Sequence, residues 1–151
     1  MTMVSTPLMV ERVYHAHAHK VWSALTDPAK MKQWYFDLAD FKPEVGFQFQ
    51  FNAQSEGVTY VHLCEVTEVV PGKKLSYTWR YRDYPGLSTV TFELVPEGDT
   101  TRVKLTHSGL ESFPDNMNDF KRSSFEAGWT AIIGTQLKEF VERKQEAGDK
   151  N

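Results

Sequence analysis

The sequence predicts an α+β domain in which a curved, six-stranded antiparallel sheet wraps around one long helix. Two observations carry this prediction. Short segments of alternating apolar and polar residues follow one another with only turns between them, and a stretch with the helical period follows the last of these segments. Because 151 residues fit a single domain, we assign residues 1–151 to one unit with its core at about 8–144.

The long helix is predicted over Ser123–Lys144. Lys138 and Glu142 lie four residues apart on its polar face, whereas Gly128 and Gly134 interrupt its apolar pattern. Each glycine costs about 1 kcal/mol relative to alanine inside a helix, which indicates either a close neighbour or room for a bulky group. The apolar positions that define the helical period are Phe125, Trp129, Ile132, Ile133, Leu137, Phe140 and Val141.

The first part of the chain combines one strand with two short helices. Leu8–His15 has the composition of a strand. Helical spacing begins at Ala18 and stops at Pro28, because proline cannot continue the preceding helix. A second short helix then carries Met31 and Trp34.

Five further strands are predicted to form a meander. Pro71-Gly72, Pro85-Gly86 and Glu97–Asp99 mark the turns between the last four of them. Such short connections join antiparallel neighbours, so the apolar residues of all the strands line one face, which the long helix covers. The five strands are predicted at Phe47–Asn52, Val58–Val70, Leu75–Arg82, Val90–Leu94 and Arg102–His107.

The composition narrows the classes of function. With 17 basic and 20 acidic residues, the chain has a net charge of -3 and no basic stripe, which argues against nucleic acid as a partner. No apolar run is long enough to span a bilayer, and the first residues lack the pattern of a signal peptide, so we expect a cytoplasmic protein. The single cysteine, Cys64, excludes an intramolecular disulfide. Aromatic residues make up 13% of the chain, which provides unusually large apolar walls.

Several runs of the sequence resemble one protein family. These runs are Ala16–Pro28 with Gln33-Trp34, Leu75–Trp79, Leu105–Leu110 and Gly128-Trp129. They are similar to the START-like (SRPBCC) helix-grip superfamily and, within it, to the homologues of the heat-shock-protein-90 ATPase activator, the AHSA1-like family. The resemblance covers Val10 to Val141. His17 stands where members of the family often have proline.

The resemblance implies a helix-grip fold but does not select one activity. Members of the superfamily include ligand carriers, polyketide cyclases and aromatases, antibiotic-resistance proteins and the co-chaperone domain itself. We therefore expect a small, mostly apolar ligand between the sheet and the long helix, with no cofactor. The alternatives are a cyclase-like enzyme, or a chaperone-binding module with a role in the stress response. The sequence makes no prediction of the oligomeric state.

The predicted cavity has both aromatic walls and one polar group. His107 shares the apolar face of its strand with Val103 and Leu105, where it is either a hydrogen-bonded core residue or a ligand contact that could also act as an acid or base. Arg80 and Arg82 alternate with aromatic residues and are expected on the outer face. The predicted ligand-binding residues are Trp34, Phe49, Phe51, Tyr77, Trp79, Phe92, His107, Phe125, Trp129 and Ile133.

Two other clusters are weaker candidates for chemistry. His15, His17 and His19 alternate as a metal face would, but they fall at a strand-to-helix corner, so we expect their imidazoles to diverge and bind no metal. Cys64 and His62 share one strand face, yet a lone cysteine is usually a small buried apolar residue, and no catalytic residue is assigned. The polar loop between Glu111 and Arg122 is a candidate gate.

Overall fold

The computed structural model of the chain describes residues 7–35, 40–55, 57–114 and 120–143. The first strand, β1 (Leu8–Tyr14), leads into two short helices, α1 (Ala18–Thr26) and α2 (Pro28–Trp34). Asp27 lies between these helices, and its side chain accepts a hydrogen bond from the Ala29 amide, so the proline that ends the first helix also starts the second.

The five strands of the meander follow in chain order. They are β2 (Gln48–Ser55), β3 (Val58–Val70), β4 (Lys74–Tyr81), β5 (Ser88–Glu97) and β6 (Thr100–Ser108). All neighbours pair antiparallel, and the order across the sheet is β1-β6-β5-β4-β3-β2. The predicted six-stranded antiparallel sheet is therefore confirmed, with β1 beside the last strand.

The alternation of side chains sets the inner face of this sheet. In β6, every second residue from Thr101 to His107 is buried, and the residues between them are partly exposed. A bulge in β3 shifts the register between Val66 and Glu68, and such a bulge bends a strand and increases its twist. The sheet thus has one buried face, as predicted, and the predicted outer positions Arg80 and Arg82 are exposed.

Three consecutive segments form the long helix near the end of the chain. They are α3 (Arg122–Ala131), a π-helical turn (Ile132–Gln136) and α4 (Leu137–Glu142), which together we call the C-terminal helix. The helix was predicted over Ser123–Lys144; Lys144 and the residues that follow it lie outside the described residues.

The π-helical turn has a reason in the sequence. The buried residues of the C-terminal helix recur at a strict spacing of four, and in a regular α-helix such a row rotates by about 40° at each step. The wider π turn returns the row to the sheet. Tyr14 of β1 donates a hydrogen bond to the Ile133 carbonyl within this turn. The row consists of Phe125, Trp129, Ile133, Leu137 and Val141.

The two ends of the C-terminal helix have different surroundings. The α4 segment packs between β1 and the short helices α1 and α2, whereas α3 packs on the sheet, against β1 and against Trp79 of β4. The sheet and α3 therefore leave a space that α1 and α2 do not fill. None of the helices in the described part of the chain has the length and apolar character that crossing a membrane requires.

Candidate functional site

A groove of about 330 Å³ lies between α3 and the inner face of β2, β3 and β4. This volume is at the lower end of the range for small-molecule sites. We call it the aromatic groove, because six of its lining side chains are aromatic rings of Tyr, Trp or Phe. Its described lining residues are Ala53, Gln54, Tyr60, His62, Trp79, Tyr81, Phe120, Ser124, Phe125, Gly128, Trp129 and Ile132.

The sheet forms one wall of the groove through two neighbouring strands. Tyr60 and His62 are two residues apart in β3, Trp79 and Tyr81 are two residues apart in β4, and His62 is paired with Tyr81 across the strands. The two-residue period places all four side chains on the inner face. The His62 ring lies edge-to-face against both neighbours, with centroid distances of 4.8 Å to Trp79 and 4.7 Å to Tyr81.

The helix forms the opposite wall. Phe125 and Trp129 are one turn apart in α3, and the Trp129 ring approaches Trp79 of the sheet with their centroids 5.5 Å apart. At one end of the groove, Phe120 packs on Tyr60 and Tyr81 at 5.5 and 4.8 Å. Most of the lining rings are buried, whereas Gln54, Ser124 and Gly128 are exposed, so the groove opens to solvent beside these three residues.

Gly128 leaves open space above the helix. A Cβ atom built at this position would have no neighbour within 4 Å. The first of the two explanations from the sequence, a close neighbour, therefore does not apply to Gly128, and the second, room for a bulky group, fits its position in the groove. At Gly134 the nearest atom to such a Cβ would be Nε of Arg12 at 3.5 Å, an ordinary packing distance.

The groove is electrically neutral near pH 7. Among its described lining residues, none is Lys, Arg, Asp or Glu. Burial lowers the pKa of His62 to about 4, so its imidazole is uncharged, and its Nδ1 is hydrogen-bonded to the Tyr60 carbonyl at 3.1 Å. The Trp79 indole donates to the Tyr81 hydroxyl at 2.9 Å, which fixes the two rings relative to each other.

His107 holds the C-terminal helix on the sheet. The Trp129 indole donates to its Nδ1 at 2.9 Å, so its proton is on Nε2, which donates to the Ser88 hydroxyl at 2.8 Å. Ser88 in turn donates to the Trp79 carbonyl at 2.7 Å. His107 is 0% exposed, and burial lowers its pKa to about 3. Both ring nitrogens are thus occupied within the core.

Three of the ten residues predicted to bind a ligand line the groove: Trp79, Phe125 and Trp129. Tyr35, which the sequence analysis did not single out, packs among several of the predicted residues that do not line the groove. Its ring packs on Trp34 and Phe51 at 4.8 and 5.8 Å, and its hydroxyl is 2.8 Å from that of Tyr77. The inner end of the space is therefore filled. The remaining seven, Trp34, Phe49, Phe51, Tyr77, Phe92, His107 and Ile133, are buried in the core.

Sequence reasoning missed most of the sheet wall. Tyr60, His62 and Tyr81 carried a usable signal, since each belongs to an alternating strand whose inner face is aromatic. Phe120 and Gln54 had no such signal, because their place in the groove depends on how distant segments pack. Part of the predicted gating loop, residues 115–119, lies outside the described residues.

The other candidate clusters show different geometry. The prediction that the imidazoles diverge is wrong for His17 and His19, whose nearly parallel rings have their centroids 5.9 Å apart, because His17 is the extended N-cap residue of α1 and His19 follows two residues later in the first helical turn. Within the described residues, no three His, Cys, Asp or Glu side chains are grouped to hold a metal ion. Burial raises the pKa of the Cys64 thiol, which disfavours the reactive thiolate.

A second depression, of about 360 Å³, lies on the outer face of β2, β3 and β4. Its lining combines the exposed polar residues Gln48, Gln50, Glu65 and Arg80 with the buried Cys64 and Phe49, one of the predicted ligand-binding residues. A ligand site is normally lined mainly by apolar side chains, and the aromatic groove has six buried rings, whereas this depression has one ring, that of Phe49, among described lining residues that are mostly polar. We therefore take the aromatic groove as the candidate site.

Comparisons with known proteins agree with the fold. Residues 15–142 match the family model described as Activator of Hsp90 ATPase homolog 1-like protein (AHSA1). A search of the curated proteins finds no match for this chain.

Three solved structures illustrate the likeness. Protein MLL2253 from Mesorhizobium loti is 31% identical, with a TM-score of 0.75 over 93% of this chain and 100% of its own. Protein CV1439 from Chromobacterium violaceum is 23% identical, with a TM-score of 0.77 over 91% of this chain and 98% of its own. DynU16, from the dynemicin biosynthetic locus, is 22% identical, with a TM-score of 0.74 over 92% of this chain and 48% of its own.

Proposed function

The chain belongs to the AHSA1 family of Activator of Hsp90 ATPase homolog 1-like proteins, and on that premise we propose that it binds a small, mostly apolar molecule in the aromatic groove. The observation that carries the proposal is a groove of about 330 Å³ lined by six buried aromatic rings, with open space at Gly128 on its helix side. The fold alone does not require this glycine, since it costs about 1 kcal/mol of helix stability and no neighbour approaches it.

The expected affinity follows from the area that the groove can cover. A ligand that buries about 200 to 300 Å² of apolar surface gains roughly 5 to 7 kcal/mol before the cost of association. Association costs several kcal/mol of this gain. Because the Trp79 and Trp129 rings are already held in place by hydrogen bonds, ordering them adds little to that cost. We therefore expect a dissociation constant between about micromolar and millimolar for a generic apolar compound.

Filling the space over Gly128 should block binding. Gly128 lines the groove and a Cβ atom there would meet no neighbour within 4 Å, so Gly128→Leu should place its side chain in the groove and weaken 2-naphthol binding, measured by titration calorimetry, by at least about tenfold. The same variant should unfold at equal or higher urea concentration than the wild type, because leucine is the better helix former.

Gly134→Ala is the matched control, since it changes a glycine of the same helix outside the groove lining and should leave the affinity unchanged. If Gly128→Leu binds 2-naphthol as well as the wild type does, the groove is not the binding site. If the wild type binds no neutral apolar compound below about millimolar, the proposal fails altogether.

The two alternatives draw less support from the structure. An enzyme that uses His107 as acid or base would need this imidazole to reach the ligand, but both of its nitrogens are bonded in the core. A chaperone-binding module should expose an apolar patch. Among the described residues, the exposed large apolar side chains are scattered, since the two that share a strand, Val58 and Val70, lie at its opposite ends and none is paired with another across strands; they are Met9, Val45, Val58, Val70, Leu87 and Val95.

A further inference from the structure

The charges around the aromatic groove restrict the ligand further. The described lining residues include no cation that could neutralise a carboxylate or a phosphate, and the two histidines in and behind the groove are neutral. An anion placed among these rings would lose water contacts without gaining a cation as partner, which costs several kcal/mol unless the charge remains outside.

The basic residues nearest to the groove along the chain are not among its described lining residues. Arg122 donates to the Pro7 carbonyl near the start of β1, and Lys121 is exposed and does not line the groove. On the sheet side, Arg80 and Arg82 are on the outer face, where Arg82 pairs with Asp83.

The shape of the walls restricts the ligand in a second way. Trp79 and Trp129 contact each other where the two walls of the groove meet, with ring centroids 5.5 Å apart and ring planes 57° apart, and Tyr60, Tyr81, Phe120 and Phe125 add further rings. Aromatic surfaces attract the face or edge of another ring beyond what the buried area alone provides. A flat ring can use these contacts, whereas a puckered saturated ring of the same carbon skeleton cannot.

From this arrangement we propose that the groove selects an uncharged, flat aromatic ligand over anionic and over non-planar ligands of the same size. This inference rests on the proposed function and names the ligand class of the same site. Carboxylate-bearing lipids such as fatty acids are thereby disfavoured, although they are as apolar as the expected ligand.

Three probes of similar size test the proposed ligand class by titration calorimetry at neutral pH. The uncharged flat probe is 2-naphthol, the anionic flat probe is 2-naphthoate, and the uncharged puckered probe is 2-decalol. We expect 2-naphthol to bind about tenfold more tightly than 2-naphthoate, and about two- to tenfold more tightly than 2-decalol, which is the range expected of one aromatic contact.

A charge placed at the mouth of the groove should shift this preference. Gln54 is exposed and lines the mouth, so Gln54→Lys should raise the ratio of 2-naphthoate to 2-naphthol affinity by about two- to fivefold at low salt. The shift should shrink at high salt, because exposed charges are screened. Lys121→Gln, which removes a cation outside the lining, should leave the wild-type ratio unchanged.

Each outcome has a distinct meaning. If 2-naphthoate binds the wild type as tightly as 2-naphthol, or if Gln54→Lys leaves the ratio unchanged, the charge selectivity is wrong while the groove as a binding site stands. Equal binding of 2-decalol and 2-naphthol overturns the selectivity for flat ligands. If none of the three probes binds, the proposed function fails and this inference fails with it.

Discussion

Two single side chains, His107 and His62, make the free energy of unfolding depend on pH. In the unfolded chain both titrate near the ordinary pKa of about 6.5. In the folded protein burial lowers these pKa values to about 3 and about 4, so the folded state takes up its protons only at lower pH. Their stabilising effect is complete above about pH 6.5 and is lost as the pH falls toward the folded values.

We therefore expect the free energy of unfolding, measured in urea, to fall between about pH 6.5 and about pH 4 by up to about 1.4 kcal/mol per pH unit for each histidine. His62→Leu should remove one of the two contributions and make the slope shallower. A stability that is constant over this range would contradict the account of the buried, neutral imidazoles.

Trp129 contributes to the stability of the fold through both its indole hydrogen bond and the packing of its ring, and two substitutions can separate these contributions. Trp129→Phe keeps most of the ring but removes the indole N–H that His107 accepts, so it should cost about 1 to 3 kcal/mol in urea unfolding. Trp129→Ala also removes the ring from between Trp79 and Phe92 and should cost about 3 to 5 kcal/mol. A loss below about 1 kcal/mol for the alanine variant would mean that this ring does not anchor the helix.

The residues of the site were only partly predictable from the sequence. Trp79, Phe125 and Trp129 were found because each follows the period of its own strand or helix. The spacing of apolar residues shows which face of a strand or helix a side chain occupies. It does not show which part of that face is covered by a ring from elsewhere in the chain. Tyr35 is the example, since its contacts with Trp34, Phe51 and Tyr77 fill the inner end of the predicted cavity.

At the level of the elements, the π-helical turn shows that an apolar pattern with the helical period does not distinguish an α-helix from a π turn. The residues of Ile132–Gln136 fit an α-helical period as well as a π turn, and only the strict four-residue spacing of the buried row distinguishes the two. The strands were easier to predict, because alternation followed by turn residues has no helical equivalent.

Tyr14 tests the importance of this turn. Its hydroxyl donates to the Ile133 carbonyl from the neighbouring strand, and both groups are buried. Tyr14→Phe leaves that carbonyl without this donor, so we expect a loss of about 1 to 3 kcal/mol in urea unfolding. If the variant is as stable as the wild type, the hydroxyl does not stabilise the turn.

For the molecule as a whole, the position of the groove follows from the chain order. The short helices α1 and α2 follow β1 and pack against α4, so they close the space at that end of the C-terminal helix. Neither α1 nor α2 contributes a described lining residue at the α3 end, where Phe125 and Trp129 face the sheet and Gly128 is exposed. The sequence predicted the sheet, the helix and their contact, but the uncovered end depends on the packing of α1 and α2.

The four tryptophans provide the most direct test of the binding site. Trp79 and Trp129 line the groove, whereas Trp22 and Trp34 belong to α1 and α2 and do not. In nitrogen-15 correlation spectra of the labelled protein, 2-naphthol should shift the indole resonances of Trp79 and Trp129 with one common dissociation constant and leave those of Trp22 and Trp34 in place. Larger shifts of Trp22 and Trp34, or no indole shift up to about millimolar ligand, would contradict binding in the aromatic groove.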